Sequence, residues 1–183
     1  MARSHRLLPL LLLAACAGLP VDENAPARRG ARPAPDVPRG EVVVVINGNA
    51  AGGRHAGLFA GPSLSDPSGS YATQRAESPS WPGPSLSDYV AFQLEDGDDV
   101  RVFRFKLSEP EFAEVERRVR SAGTAMPLFC AATVQSQIAG IGPFKEIADT
   151  FWTSPKALAL QLDRLAGIPG KGGQCTRPTG RPC

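Results

Sequence analysis

Apolar residues fall along the chain in runs, in alternation and in helical spacing. Val42, Val43, Val44, Val45 and Ile46 form an uninterrupted β-branched run, which predicts a central strand covered on both faces. Asn47, Gly48 and Asn49 follow as a turn signal. Residues 54–60 predict a second strand antiparallel to the first, and alternation sets His55, Gly57 and Phe59 on one of its faces. Gly57 either keeps the surface beside His55 open to a partner or accommodates tight packing. Residues 89–94 and 100–107 predict two further strands, joined by an acidic turn at 95–99. Val100 and Val102 share one face of the latter, with Phe103 and Phe105 on the other. Residues 61–88 are loop-rich, with Tyr71, Ala72 and Thr73 as a brief strand. Trp81 in that loop either walls a cleft or pins the loop to the core.

Helical spacing begins at Ser108, an N-cap with Glu111 as its capping-box partner and Pro110 in the first turn. Phe112, Val115 and Val119 make the inward stripe; Glu114, Glu116, Arg117, Arg118 and Arg120 are expected in solvent, and Gly123 ends the helix. Cys130 opens the next helix, with Ala131, Val134 and Ile138 apolar and Gly140, Gly142 and Pro143 breaking it. Phe144, Ile147 and Phe151 suggest a short helical turn. Thr153, Ser154 and Pro155 start a last helix whose inward residues are Leu158, Leu162 and Leu165. The fold class expected is α+β: a small antiparallel sheet packed against helices over residues 40–168.

The amino end changes the picture. Arg3 and Arg6 precede an apolar stretch at 7–15, too short for a permanent bilayer span. Leu13, Ala14, Ala15 and Cys16 resemble the bacterial lipobox, in which the cysteine receives lipid and becomes the new first residue. That resemblance implies a signal peptide at 1–15, a lipidated Cys16 and a membrane anchor. Ala17 in place of Asp implies the outer membrane, with the domain facing the periplasm. The rival is ordinary secretion. Residues 16–39, rich in Pro, Ala and Arg, are expected as a disordered tether.

The chain carries 20 Lys and Arg against 18 Asp and Glu, and loss of Arg3 and Arg6 brings the two signs into balance. Long-range attraction to nucleic acid is not indicated. Export permits disulfides. Cys175 and Cys183, in a Gly/Pro-rich tail at 169–183, are expected to pair; the alternative joins Cys130 to one of them.

With His5 removed, His55 is the only histidine, and Cys130 is the only cysteine in the body of the domain. A thiol attacks as thiolate, and a helix amino end favours the anion. An imidazole takes the thiol proton and returns a proton to a leaving group. The Cys130 N–H is a candidate oxyanion donor. The plain alternative is a core cysteine among alanines. A third group must orient the imidazole. Asp66 is the first candidate, although Asp66 and Pro67 are also ordinary turn residues; Gln74 and Gln93 are the others.

Residues 54–59 and 128–134, in that order and with His55 and Cys130 about 75 residues apart, resemble the permuted NlpC/P60 group of papain-like proteins. There a histidine strand precedes the helix that carries the nucleophile. Thr153, Ser154, Pro155 and Leu158 are similar to the start of the group's final helix. The resemblance implies a circularly permuted papain-like arrangement and a cell-envelope cysteine hydrolase. Its substrate is an amide of peptidoglycan peptides, or an acyl lipid on the same scaffold. The competing class is a catalytically inactive lipoprotein that binds or scaffolds. No cofactor is expected. One histidine and scattered acids do not make a zinc set, and residues 95–99 lack the spacing of a calcium loop. Gly48, Gly52 and Gly53 lack the lysine of a phosphate-binding loop.

Overall fold

The Val42 to Ile46 run does what an all-β-branched segment does best. It forms the middle of a sheet, with every one of its side chains at most 1% exposed. The computed structural model describes residues 36–49, 55–167, 173–178 and 183. The targeting segment, Cys16, most of the tether, Gly52, Gly53 and Arg54 lie outside the described residues.

Strands β1 (Glu41–Asn47), β2 (His55–Ala60), β3 (Ser63–Ser65), β4 (Val100–Lys106) and β5 (Gly173–Thr176) form one antiparallel sheet in the order β3-β2-β1-β4-β5. Helices are α1 (Ser70–Ala76), α2 (Leu86–Leu94), α3 (Glu109–Ser121), α4 (Cys130–Ile138) and α5 (Pro155–Ala166), with a 3-10 turn at Gly142–Phe144. The architecture is α+β.

Strand alternation sorts the core into two layers. Val42, Val44, Ile46, Leu58, Phe103 and Phe105 face α3, α4 and α5, which contribute Phe112, Val134, Ile138, Leu158 and Leu162. Val43, Val45, Phe59, Val100 and Val102 face α1 and α2, which contribute Tyr71, Leu86 and Tyr89. The sheet is thus covered on both faces. Local signals fix the helix starts. The Ser108 N–H donates to the Glu111 carboxylate at 3.0 Å, and Ser154 Oγ accepts from the Ala157 N–H at 3.1 Å.

Several expectations are corrected. Residues 89–94 are helix α2, not a strand: Ser85 caps it, accepting from Asp88 N–H at 3.2 Å, and the Asp36 carboxylate accepts from the N–H groups of Leu86 and Ser87. Tyr71, Ala72 and Thr73 are in α1, not a strand; the Tyr71 ring is fully buried against Tyr89. The body begins before residue 40, since Val37 is 1% exposed and joins the α1–α2 side of the core. Glu116 is buried rather than in solvent, paired with Arg120 at 2.8 Å. Phe144 and Ile147 are buried, but Phe151 is 87% exposed and belongs to no helical turn. The tail adds a strand that was not expected, since residues 173–176 pair with β4, while the expected Cys175–Cys183 disulfide is present. Gly173 permits the pairing, because a Cβ there would press on the Phe105 ring and come 3.0 Å from Ala166 Cα.

Candidate active site

The site lies where β2 begins, beyond the residues that β3 pairs with. Strand β3 is only three residues long and pairs with Leu58, Phe59 and Ala60. Ser65 stands opposite Leu58, so alternation sets the next residue, Asp66, on the face of Gly57 and His55. The chain then turns: Gly69, at φ 69°, donates its N–H to the Asp66 carbonyl at 2.9 Å. Asp66 Oδ2 accepts from the Tyr71 N–H at 3.1 Å, and Oδ1 accepts from Ser68 Oγ at 3.1 Å. A carboxylate held by the backbone of the following helix has little freedom to turn away.

His55 Nε2 lies 2.7 Å from Asp66 Oδ1 and 3.1 Å from Tyr89 Oη. Because the carboxylate only accepts, Nε2 carries the hydrogen. The Cys130 side chain lies close enough to the imidazole to act on its pKa. With Nε2 committed to Asp66, Nδ1 is the nitrogen left for the thiol. Burial alone would lower the pKa of His55. The interactions with Asp66 and Cys130 outweigh it and raise the value to about 9. Burial opposes the Asp66 carboxylate too, but the His55 bond and charge and the Tyr71 and Ser68 donors hold it below the usual range. The imidazole is therefore an imidazolium near neutral pH.

Cys130 is the first residue of α4, half-buried and free of disulfide. No side chain caps that helix end. A helix amino end presents N–H groups and the positive end of the peptide dipoles, the surroundings that suit a thiolate or a developing oxyanion. Just upstream, Leu128 adopts φ 73°, the one non-glycine residue in the left-handed region among the described residues. Such a conformation costs on the order of 1–3 kcal/mol and is held by its surroundings. Helix α4 is itself locked: Gln137 Nε2 donates to Ser65 Oγ at 2.9 Å, beside Asp66, and Gln135 Nε2 donates to the Ala148 carbonyl and Thr150 Oγ1 at 2.7 Å.

His55, Asp66 and Cys130, far apart in the chain, are thus brought together. The other two candidates for orienting the imidazole are not. Gln74 is exposed, and Gln93 is buried against Asn47, accepting from Asn47 Nδ2 at 2.9 Å. Tyr89 was not legible as a site residue, because its segment reads as a strand and its hydroxyl reaches the imidazole only through α2. Gly57 does not leave an open surface. Its missing side chain is replaced by the Tyr89 phenol, whose Cζ would lie 2.7 Å from a Cβ there. Trp81 stacks edge-on against Tyr71 at 5.7 Å and fastens the loop to α1.

An apolar rim accompanies the thiol. Met126 and Leu128 are each 67% exposed immediately before it. Phe129 meets Phe151 edge-to-face at 5.5 Å, and Trp152 next to it is half-exposed. A cavity of about 350 Å³ lies farther along α4, lined by Arg118, Ala122, Thr124, Ala125, Ser136 and Gln137 among others. Among the described residues no cluster of His, Cys, Asp and Glu is placed to hold a metal ion, and no helix is long and apolar enough to cross a membrane. Comparison with family models, curated proteins and solved structures gave no match.

Proposed function

We propose that the chain is a cysteine hydrolase of the cell envelope, with the permuted papain-like arrangement of the NlpC/P60 group, that cleaves amide bonds of peptidoglycan peptides. One observation carries the reading: His55 is hydrogen-bonded to Asp66 at 2.7 Å and is close enough to Cys130, at the start of a helix, for the thiol to help raise its pKa. The order, histidine strand first and cysteine helix later, supports the permuted arrangement. A free Cys130 near enough to influence the imidazole favours hydrolysis over the scaffold alternative. The envelope setting rests on the lipobox resemblance at Cys16.

The steps follow from the side chains. The Cys130 thiolate attacks the amide carbon, and the carbonyl oxygen takes the negative charge beside the Cys130 N–H. As the C–N bond breaks, the imidazolium gives its Nδ1 proton to the leaving amine, and a thioester remains. Neutral His55 then takes a proton from water. The hydroxide adds to the thioester carbon, the C–S bond breaks and the acid leaves. Asp66 keeps the Nε2 hydrogen in place throughout and stabilises the imidazolium.

The apolar rim of Met126, Leu128, Phe151 and Trp152 favours a second substrate class on the same chemistry, an acyl lipid whose chain lies along that rim. Turnover of purified wall peptides and of acyl lipids in vesicles, by the wild type and by Cys130→Ser, tests both. Hydrolysis of one class by the wild type, abolished in a folded Cys130→Ser protein, is expected. Equal turnover by the variant would remove Cys130 from the chemistry.

A further inference from the structure

Tyr89 has no part in the steps above, yet its hydroxyl is in the middle of the site. The ring is fully buried and fixed edge-on against Phe59 at 5.6 Å and Tyr71 at 5.0 Å. Its oxygen stands 3.1 Å from His55 Nε2 and 3.4 Å from Asp66 Oδ1, and those two atoms are 2.7 Å apart. The three atoms make a closed triangle. Only one assignment of hydrogens satisfies all three sides: the phenol donates to the carboxylate, and the Nε2 hydrogen is shared between the carboxylate and the phenol oxygen. Burial and the Asp66 charge keep Tyr89 a neutral phenol, so it remains a donor.

The hydroxyl gets there because residue 57 has no side chain. Gly57 is inside β2, opposite Val45, where a glycine weakens the strand. A Cβ at this position would collide with the Tyr89 hydroxyl and sit 2.9 Å from its Cε1. Gly57 does not adopt the left-handed backbone that needs glycine, so space for the phenol is the reason the structure offers for it.

We propose that Tyr89 is a positioning residue of the site, admitted by Gly57, which fixes the His55 and Asp66 side chains so that Nδ1 stays aimed at the Cys130 thiol. This rests on the hydrolase reading. The phenol touches no reacting atom; it acts through the imidazole and the carboxylate.

The test uses the full chain and iodoacetamide, with labelling of Cys130 resolved by peptide mass and the His55 titration followed by imidazole NMR. Tyr89→Phe removes one oxygen and leaves the ring packing. It is expected to slow Cys130 labelling at pH 7 by roughly tenfold, the worth of one hydrogen bond, and to shift the His55 midpoint, because the Nε2 hydrogen and the Asp66 carboxylate each lose a partner. Gly57→Ala is expected to displace the phenol and slow labelling likewise. Combining the two changes is expected to cost less than the product of the separate effects, since both break the same contact. In folded Tyr89→Phe, an unchanged labelling rate or an unchanged His55 titration overturns the inference. His55→Ala separates the two levels. If it slows labelling and Tyr89→Phe does not, only the role of Tyr89 fails; if His55→Ala itself changes nothing, the hydrolase reading fails.

Discussion

Asp66 shows how much one carboxylate organises. It receives the imidazole, a phenol, a serine hydroxyl and the first buried N–H of α1. Asp66→Ala leaves the buried phenol of Tyr89 and the Tyr71 N–H without that acceptor. It is expected to cost about 1–3 kcal/mol of stability in chemical denaturation and to lower turnover by a factor on the order of 10⁴, as loss of the orienting acid does in a triad. The pH response follows from His55. Proton donation to the leaving amine needs the imidazolium, which persists until about pH 9. The acylation rate is therefore expected to fall as pH rises through about 9; a rate that rises steadily past that point contradicts an imidazolium donor. His55 was legible as a residue, because it is an isolated chemical group in an apolar strand, whereas Asp66 was only the first of three candidates and doubled as an ordinary turn residue. That Asp66, rather than Gln74 or Gln93, meets the ring depends on the register of β3, and a three-residue serine-flanked strand has no signal of its own.

At the scale of elements, the parts of the fold that the sequence announces are those whose cues are local. The unbroken valine run, the box of Ser108 and Glu111, and Ser154 followed by Pro155 each specify structure within a few residues, and β1, α3 and α5 form there. Helix α2 was hidden because Tyr89, Val90 and Phe92 favour strands in isolation. Its decisive cues are the Ser85 cap and the distant Asp36 carboxylate. Strand β5 was hidden because its glycine is chosen for the Phe105 ring, a tertiary reason. The turn before α4 stores strain at Leu128. Leu128→Gly is expected to leave the fold intact at equal or higher stability, whereas Leu128→Val, β-branched, is expected to lose about 1–2 kcal/mol in denaturation. If both substitutions behave alike, the left-handed backbone is not under strain.

For the whole molecule, the same buried imidazole links site and stability. The His55 pKa is raised from 6.5 to about 9 on folding, so the folded state binds the proton more tightly. Its contribution is complete below pH 6.5 and disappears as pH rises through 9. The melting temperature is expected to decline across that window, and a His55→Gln protein to show a flatter profile. A wild-type profile that rises there opposes the assignment. At the amino end, the proposed lipid anchor predicts that the wild type is in the membrane fraction and that Cys16→Ser moves it out; a wild type outside that fraction, or a variant retained in it, contradicts an anchor at Cys16.

Both substrate readings require a thiol that its neighbours have made reactive. The most direct measurement is the second-order rate of Cys130 alkylation by iodoacetamide at pH 7, compared between the folded protein, the urea-unfolded chain and folded His55→Ala. The folded wild type is predicted to react fastest of the three. A folded rate equal to or below that of the unfolded chain, or one indifferent to His55, would contradict a primed nucleophile and leave Cys130 as core.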